Sequence, residues 1–229
     1  MELLSIGTNA KTVKSDALGV YLTAIQYLSP YKISGKNFCP QASKGCISTC
    51  LNTAGRGAFH VVQKSRLRKS LLFINNRKQY KELLLQDLNA FRKKCEKDNV
   101  KPAVRLNGTS DLQWEDIFPE IFEDYKEFQF YDYTKQKRRY RNFLEGNFPS
   151  NYHLTFSRSE INEAACLDFL KNYKKAQIAV VFEKIPKKWN GYSVKSGDDN
   201  DLRFLDNKPI CGLIAKGRAK KDITGFVVR

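Results

Sequence analysis

Short apolar runs alternate with amphipathic stretches through most of the chain. From residue 101 onward, each apolar run is predicted to be a strand, and the stretch after it has apolar residues at helical spacing. The predicted strands are Ala103–Leu106, Phe128–Tyr131, Tyr152–Phe156, Ile178–Phe182 and Ile210–Ile214. Strands separated by helices in this rhythm indicate βα units, so we expect an α/β fold, a partial or open (β/α) barrel of about six mainly parallel strands.

The segments outside this repeat complete the predicted organisation. Leu3–Gly7 and Val20–Leu28 are predicted as early strands and Gly225–Val228 as a last one, whereas residues 59–72 and 80–91 have helical spacing. No internal repeat is visible. The prediction is a single domain, 1–229, with N-terminal strands in 1–30, a cysteine loop in 37–57, βα units in 101–182, a polar surface insertion in 183–209 and C-terminal strands in 210–229.

Charge adds a preference for anionic partners. The 40 Lys and Arg residues outnumber the 24 Asp and Glu residues, so the net charge is +16. Such an excess favours nucleic acid, phosphorylated metabolites or an acidic protein, although a genome rich in lysine codons would also produce it. The cations are denser in Lys64–Lys69, Lys135–Arg141 and Lys216–Lys221.

The chain lacks the features of a membrane or secreted protein. No apolar run reaches the roughly 20 residues of a membrane-spanning helix, and Glu2 stands where a signal peptide carries positive charge. We therefore expect a cytoplasmic protein with no membrane partner and with reduced thiols.

Three of the six cysteines lie close together on a polar segment. Cys39, Cys46 and Cys50 have C-x6-C-x3-C spacing among residues typical of a loop. Thiols gathered on a polar loop of an intracellular chain indicate metal or redox chemistry. The C-x3-C pair suits zinc, whereas the longer gap suits the wider, irregular spacing of iron–sulfur ligands. We therefore expect a 4Fe–4S cluster, with zinc or redox-labile thiols as alternatives.

A fourth ligand is not evident from the spacing. Cys211, His60, water or a bound small molecule are the candidates, and Cys211 opens a predicted strand, which places it at the far end of a barrel from the βα loops. Cys95 is interpreted as a bystander at the charged end of a helix, and Cys166 as a core residue.

Polar residues also follow the predicted strands at the edge where a parallel barrel has its active site. Arg105, Asn107 and Asp111 are the candidate catalytic residues. A buried guanidinium needs an anionic partner, which for Arg105 could be substrate or, structurally, Asp111. The candidate cofactor- and ligand-binding residues are Arg56, Thr109, Ser110, Lys216 and Arg218.

Five segments resemble a family of phage-encoded gene products of unknown function. They read LLSIGTNAKTVKSD, CPQASKGCISTCLNTAGRGAF, PAVRLNGTSDLQWE, DLRFLD and GLIAKGRAKKD. The positions that match the family's motifs are Cys39, Cys46, Cys50, Gly55, Arg56, Arg105, Asn107, Asp111, Lys216 and Arg218. The resemblance implies expression in the cytoplasm of an infected bacterium.

A looser similarity, in architecture, is to radical S-adenosylmethionine enzymes, which have a partial barrel and a three-cysteine 4Fe–4S loop after an early strand. It implies S-adenosylmethionine as a further candidate cofactor. The chain departs from the C-x3-C-x2-C spacing of those enzymes, and it has no glycine-rich adenosylmethionine motif.

Two main functions therefore compete. One is an iron–sulfur redox or radical enzyme acting on a small anionic ligand. The other is a basic nucleic-acid-binding protein with a structural zinc site, in which Tyr133 and Tyr140 would stack on bases. A structural or host-interaction protein without chemistry is a third. The chain contains no P-loop, no G-x-G-x-x-G and no G-x-S-x-G motif.

Overall fold

A computed structural model of the chain describes residues 1–7 and 10–229, and it has a mixed α/β fold around one nine-stranded sheet. Thr8 and Asn9, which belong to the first of the five family segments, lie outside the described residues. The strands are β1 (Leu4–Ile6), β2 (Tyr21–Gln26), β3 (Lys101–Arg105), β4 (Gln129–Thr134), β5 (Tyr152–Ser157), β6 (Ile178–Phe182), β7 (Lys188–Trp189), β8 (Tyr192–Ser196) and β9 (Ile210–Ile214).

The strand order is β1-β2-β3-β4-β5-β6-β9-β8-β7. Strands β2 to β6 lie side by side in chain order and are parallel to one another. Strands β9 and then β8 extend the sheet beyond β6, and both are parallel to it. The edge strands β1 and β7 are antiparallel to their neighbours. The predicted α/β class and mainly parallel sheet are therefore confirmed, and the sheet is open.

Eight α-helices connect the strands in the described part of the chain: α1 (Ala10–Asp16), α2 (Lys44–Ser48), α3 (His60–Asn75), α4 (Arg77–Asp98), α5 (Trp114–Ile117), α6 (Glu120–Asp124), α7 (Lys137–Leu144) and α8 (Glu163–Asn172). Short 3-10 turns lie at Leu51–Thr53, Gly55–Ala58, Arg203–Leu205 and Gly217–Lys221. Within this part of the chain, no helix is both long enough and apolar enough to cross a bilayer.

The main core lies between one face of the sheet and the helices. In α4, the residues Tyr80, Leu84, Leu88, Phe91 and Cys95 form a buried stripe at the helical spacing that predicted this helix. Fully burying an apolar side chain of this size stabilises the fold by about 1.5–3 kcal/mol. Cys166 is also fully buried in this core, as predicted.

Two predicted features differ from the structure. Gly225–Val228 forms a single bridge between Val228 and Phe182 rather than a strand, because the C-terminal segment touches the sheet at one point. Residues 183–209 do contain a hairpin, β7–β8, but β8 joins the main sheet beside β9.

Residues 201–203 of that segment are buried on the sheet face opposite the main core. Leu202 packs with Ala103 and Tyr131, and Asp201 and Arg203 are also buried. These residues of the predicted surface insertion therefore cover the sheet. The Asp201 carboxylate pairs there with Arg105 of β3.

Candidate metal centre

The loop that carries Cys39, Cys46 and Cys50 lies at the carboxyl edge of the parallel strands. The loop follows β2, and the Cys39 thiol donates to the carbonyl oxygen of Thr109, in the loop after β3, at 3.6 Å. The Tyr31 amide donates to Cys39 Sγ at 3.3 Å. Cys50 and Cys46 both lie near enough to raise the pKa of Cys39 electrostatically. The cysteine loop therefore lies beside the loop that follows β3.

Helix α2 sets the position of Cys46. Ser43 caps the helix, and its hydroxyl accepts from the Cys46 amide at 3.1 Å. Glu160, in the loop after β5, accepts from the Ser43 hydroxyl and from the Gly45 amide, both at 2.7 Å. Such charge-assisted bonds at a helix N-terminus are strong. Glu160 thus fixes the cysteine loop to the βα unit that begins with β5.

Gly45 is required by close packing. A Cβ atom at this position would lie 2.3 Å from Thr224 Oγ1, 2.7 Å from Phe226 Cβ and 2.8 Å from Glu160 Oε2. These distances are shorter than van der Waals contacts. The loop can therefore pack against residues 224–226 only because residue 45 has no side chain.

Cys39 and Cys50 lie in a setting that disfavours their free anions. Burial, followed by the charges of Cys50, Asp111 and Cys46, raises the pKa of Cys39 to about 12, although the Tyr31 amide opposes the rise. Burial also raises the pKa of Cys50. Thiolates at these positions need a nearby cation, and a coordinating metal supplies one because ligation displaces the thiol proton.

Lys135 supplies one such positive charge. It follows the last residue of β4, within electrostatic range of Cys46, Asp111 and Cys39. Burial works to lower the pKa of Lys135, but the charges of Cys46, Asp111 and Cys39 outweigh burial, so this pKa is raised. The sequence pattern assigned Lys135 to a surface basic patch, and its role at the cysteines was missed.

Asn107 organises the loop after β3. Its side-chain oxygen accepts from Ser110 Oγ at 2.8 Å, from the Leu112 amide at 2.9 Å and from Trp114 Nε1 at 3.2 Å. Its amide nitrogen donates to Leu112 and to Asp132. Asn107 and Ser110, predicted as catalytic and binding residues, are thus used within the loop.

Thr109 and Asp111 connect this loop to its neighbours. The Thr109 hydroxyl donates to the Leu28 carbonyl at 2.5 Å. The Asp111 amide donates to the carbonyl of Phe38, next to Cys39, at 2.8 Å. The Asp111 carboxylate accepts from Arg139 at 3.2 Å and from the Lys135 amide at 2.9 Å. Asp111 therefore joins the cysteine loop to the β4 end.

Arg105 lies beneath Asp201 of the insertion, residues 183–209. Its Nη1 atom donates to Asp201 at 3.1 Å, its Nε atom is 3.9 Å from Asp132, and its guanidinium covers the ring of Tyr133 at 4.6 Å. Burial works to lower the pKa of Arg105, but Asp201 and its other neighbours raise it. The anionic partner expected for this buried arginine is thus Asp201, and the alternative pairing with Asp111 does not form because Asp111 binds Arg139.

The remaining predicted cations lie on the surface. Arg56, Lys216 and Arg218 are all exposed, and the turn that contains Arg218 packs on Ala54 through Gly217. Lys216 pairs with Asp198 at 2.6 Å. These residues form part of the rim around the cysteine loop.

The two residues proposed as a fourth ligand, His60 and Cys211, lie on different elements of the fold. His60 is exposed at the start of α3 and lines an open groove with Asn52 and Gln63. Cys211 is buried at the amino end of β9, where its sulfur accepts from Arg203 at 2.9 Å. In the register of the sheet, Cys211 is level with Ala179 of β6, which pairs with Ser157 at the carboxyl end of β5.

The geometry defines a class: an open, mostly parallel α/β sheet with a three-cysteine loop packed at its carboxyl edge. In the described part of the chain, no group of three or more His, Cys, Asp or Glu side chains is arranged to hold a metal ion.

The chain belongs to the gene product 88 family, whose sequence model matches residues 2–229. This membership agrees with the resemblance to phage-encoded gene products. Neither the curated proteins nor the solved structures contain a match to the chain.

Proposed function

We propose that this protein holds a 4Fe–4S cluster through Cys39, Cys46 and Cys50. The observation that supports the proposal is that one loop at the carboxyl edge of the sheet carries all three thiols, within electrostatic range of one another and of Lys135. Thiolates are the ligands of iron–sulfur clusters. A cluster would need deprotonated cysteines, and the Tyr31 amide and the charge of Lys135 both favour sulfur anions.

The position of the cysteine loop in the fold also supports the proposal. Two βα units hold it, through Thr109 and Asp111 after β3 and through Glu160 after β5. We propose that the sheet curves here as a partial barrel, because β2 to β6 follow one another in chain order, as in (β/α) barrels. When bound, the cluster would supply one-electron chemistry and an iron with an open position.

The surrounding charges indicate a small anionic ligand for an enzyme of redox or radical type. Arg105 and Lys216 already bind Asp201 and Asp198, so their charges are neutralised within the chain. Arg56 and Arg218 are the exposed guanidinium groups at the rim, and guanidinium groups pair well with carboxylate or phosphate. S-adenosylmethionine, which carries a carboxylate, is one candidate. The site of action would be the cytoplasm of the infected host.

Visible absorption of the anoxically reconstituted protein tests this function. Wild type should show the broad charge-transfer absorption of thiolate-bound iron, and Cys39→Ala, Cys46→Ala and Cys50→Ala should each weaken or abolish it. Cys166→Ala, a change in the buried core, serves as the control and should retain the absorption. Equal absorption in all four variants would exclude the assigned ligands.

A second candidate function, nucleic-acid binding with a structural zinc site, is supported by one surface. The turn Gly217–Lys221 exposes Arg218, Lys220 and Lys221 beside Arg56. Against it, Arg139 and Tyr140 of the predicted basic patch are buried.

Tyr133, the second predicted stacking residue, lies beneath Arg105. Binding to single- and double-stranded DNA titrated with salt would test this candidate. A steep loss of affinity with salt, reduced further in Lys220→Ala/Lys221→Ala, would favour it. Weak binding that is independent of salt would exclude it.

A further inference from the structure

The groove beside the first turn of α3 combines hydrogen-bonding side chains with an aliphatic wall. Its volume is about 330 Å³, which lies at the small end of the range for ligand pockets. We call it the α3 groove. Its polar lining residues are Ser29, Asn52, His60, Gln63 and Lys64, and its aliphatic ones are Ile33 and Leu67.

Asn52 offers an unpaired hydrogen-bond donor to this groove. The residue is only 3% exposed, and its Oδ1 atom accepts from Arg66 Nη1 at 2.6 Å. A guanidinium can only donate, so the carbonyl oxygen must be the atom that faces Arg66, and the NH₂ group is left for the groove. Within the described residues nothing accepts from this NH₂ group, and it is not sealed in the interior.

Ser29 offers a second unpaired group. It is 2% exposed, and its backbone amide donates to Ser70 Oγ at 2.8 Å. The Ser70 hydroxyl in turn donates to the carbonyl oxygen of Arg66 at 3.0 Å, so the backbone of Ser29 is held in place. The Ser29 hydroxyl has no partner in the described part of the chain. Buried polar groups are normally hydrogen-bonded, so two unpaired groups in one groove indicate a ligand.

The charge around the groove favours an anion. No Asp or Glu is among its described lining residues, and the exposed ammonium of Lys64 lies at its rim. His60 begins α3, a helix of 16 residues, and the preceding residue, Phe59, provides no side-chain cap. The positive end of the helix dipole is therefore uncapped beside the groove.

We propose that the α3 groove binds a small organic anion. Its carboxylate or phosphate group accepts hydrogen bonds from Asn52, Ser29 and Lys64, and its apolar body packs against Ile33 and Leu67. The three loop cysteines are not part of the lining, so this inference goes beyond the proposed cluster and does not depend on it.

Isothermal titration calorimetry on the full-length protein tests the proposal. The probes are phenyl phosphate and benzoate, whose rings represent the apolar body, with neutral benzamide and inorganic phosphate as comparisons. At least one of the two organic anions should bind, and the tighter one identifies the charged group as phosphate or carboxylate. Benzamide and inorganic phosphate should each bind more weakly than that anion.

Variants assign the binding to the groove. Asn52→Asp keeps an oxygen for Arg66 but replaces the donor with a negative charge, and it should weaken anion binding at least about tenfold. Ser29→Ala and Lys64→Ala each remove one donor and should weaken it about two- to tenfold. Lys171→Ala, which removes an exposed cation of α8, is the charge-matched control and should leave the affinity unchanged. Circular dichroism checks that each variant folds.

Several results would overturn the proposal. These are no binding of either organic anion, equal binding of benzamide, or inorganic phosphate that binds as tightly as phenyl phosphate. Unchanged affinity in both Ser29→Ala and Lys64→Ala would do so as well, even if Asn52→Asp does not fold. The titrations do not measure iron, so failure of the groove and failure of the proposed cluster are distinguished.

Discussion

The packing of α2 predicts that Gly45→Ala lowers the free energy of unfolding. The added methyl group would lie within 2.3–2.8 Å of Thr224, Phe226 and Glu160. Overpacking of this kind costs about 1–3 kcal/mol. If the loop moves away to relieve it, the bond from the Gly45 amide to Glu160 is lost, and a bond to a charged group is worth about 1.5–3 kcal/mol. Alanine regains about 1 kcal/mol of helix propensity.

The net prediction is a loss of about 0.5–2 kcal/mol in the free energy of unfolding of the metal-free protein, whichever of the two costs applies. Urea denaturation followed by circular dichroism measures it. The matched control is Lys44→Ala, an exposed neighbour in the same helix, which should change stability by less than about 0.5 kcal/mol. If Gly45→Ala is as stable as this control, α2 does not pack against residues 160 and 224–226, and the described setting of Cys46 is wrong.

Three further predictions concern the polar groups behind the site. Burial raises the pKa of Asp132 from 3.8 to about 6, so the protonated carboxyl group stabilises the folded protein relative to the unfolded chain. This stabilisation is fully present below pH 3.8 and is lost as the pH rises through about 6. Unfolding free energies measured from about pH 4 to about pH 7 should therefore show a fall of about 3 kcal/mol in wild type relative to Asp132→Asn. The exposed Asp116→Asn should not change the profile, and parallel profiles for wild type and Asp132→Asn would contradict the assignment. Arg139→Met leaves two carboxylates without their buried cation and should cost about 3–5 kcal/mol in the same urea assay. Asn107→Ala removes the hydrogen bonds of the loop after β3 and should cost roughly 3 kcal/mol, whereas the exposed Asn172→Ala should cost less than about 0.5 kcal/mol.

The parallel strands could be predicted because they are continuous apolar runs between polar segments. β6 and β9 have the predicted bounds. In contrast, every residue of β8 is only partly buried, and the strand lies within a polar segment, so its sequence has no alternation to detect. The helical stretch after β3 is divided into two short helices, α5 and α6, with Phe118 and Pro119 between them.

The site could be predicted only in outline. The rule that parallel strands share one carboxyl edge correctly placed the cysteine loop beside the loop that follows β3. The partner of Arg105 could not be found this way, because Asp201 is 96 residues away and comes from a polar insertion.

The inward positions of Lys135 and Arg139 could not be predicted, because exposed cations surround both residues in the sequence. Lys137, Arg138 and Arg141 are exposed, and together these five cations read as one surface patch. The available signal was helical spacing: Tyr140 and Leu144 mark the buried face of α7, and Arg139 lies next to it.

Metal and sulfide analysis of the protein purified without oxygen tests the central claim most directly. The account predicts about four iron atoms and about four acid-labile sulfides per chain. It also predicts that the iron is lost when Cys39, Cys46 and Cys50 are replaced together by alanine and is kept in Cys166→Ala. A chain that binds zinc in a one-to-one ratio, or that remains free of iron after anoxic reconstitution, would contradict the account.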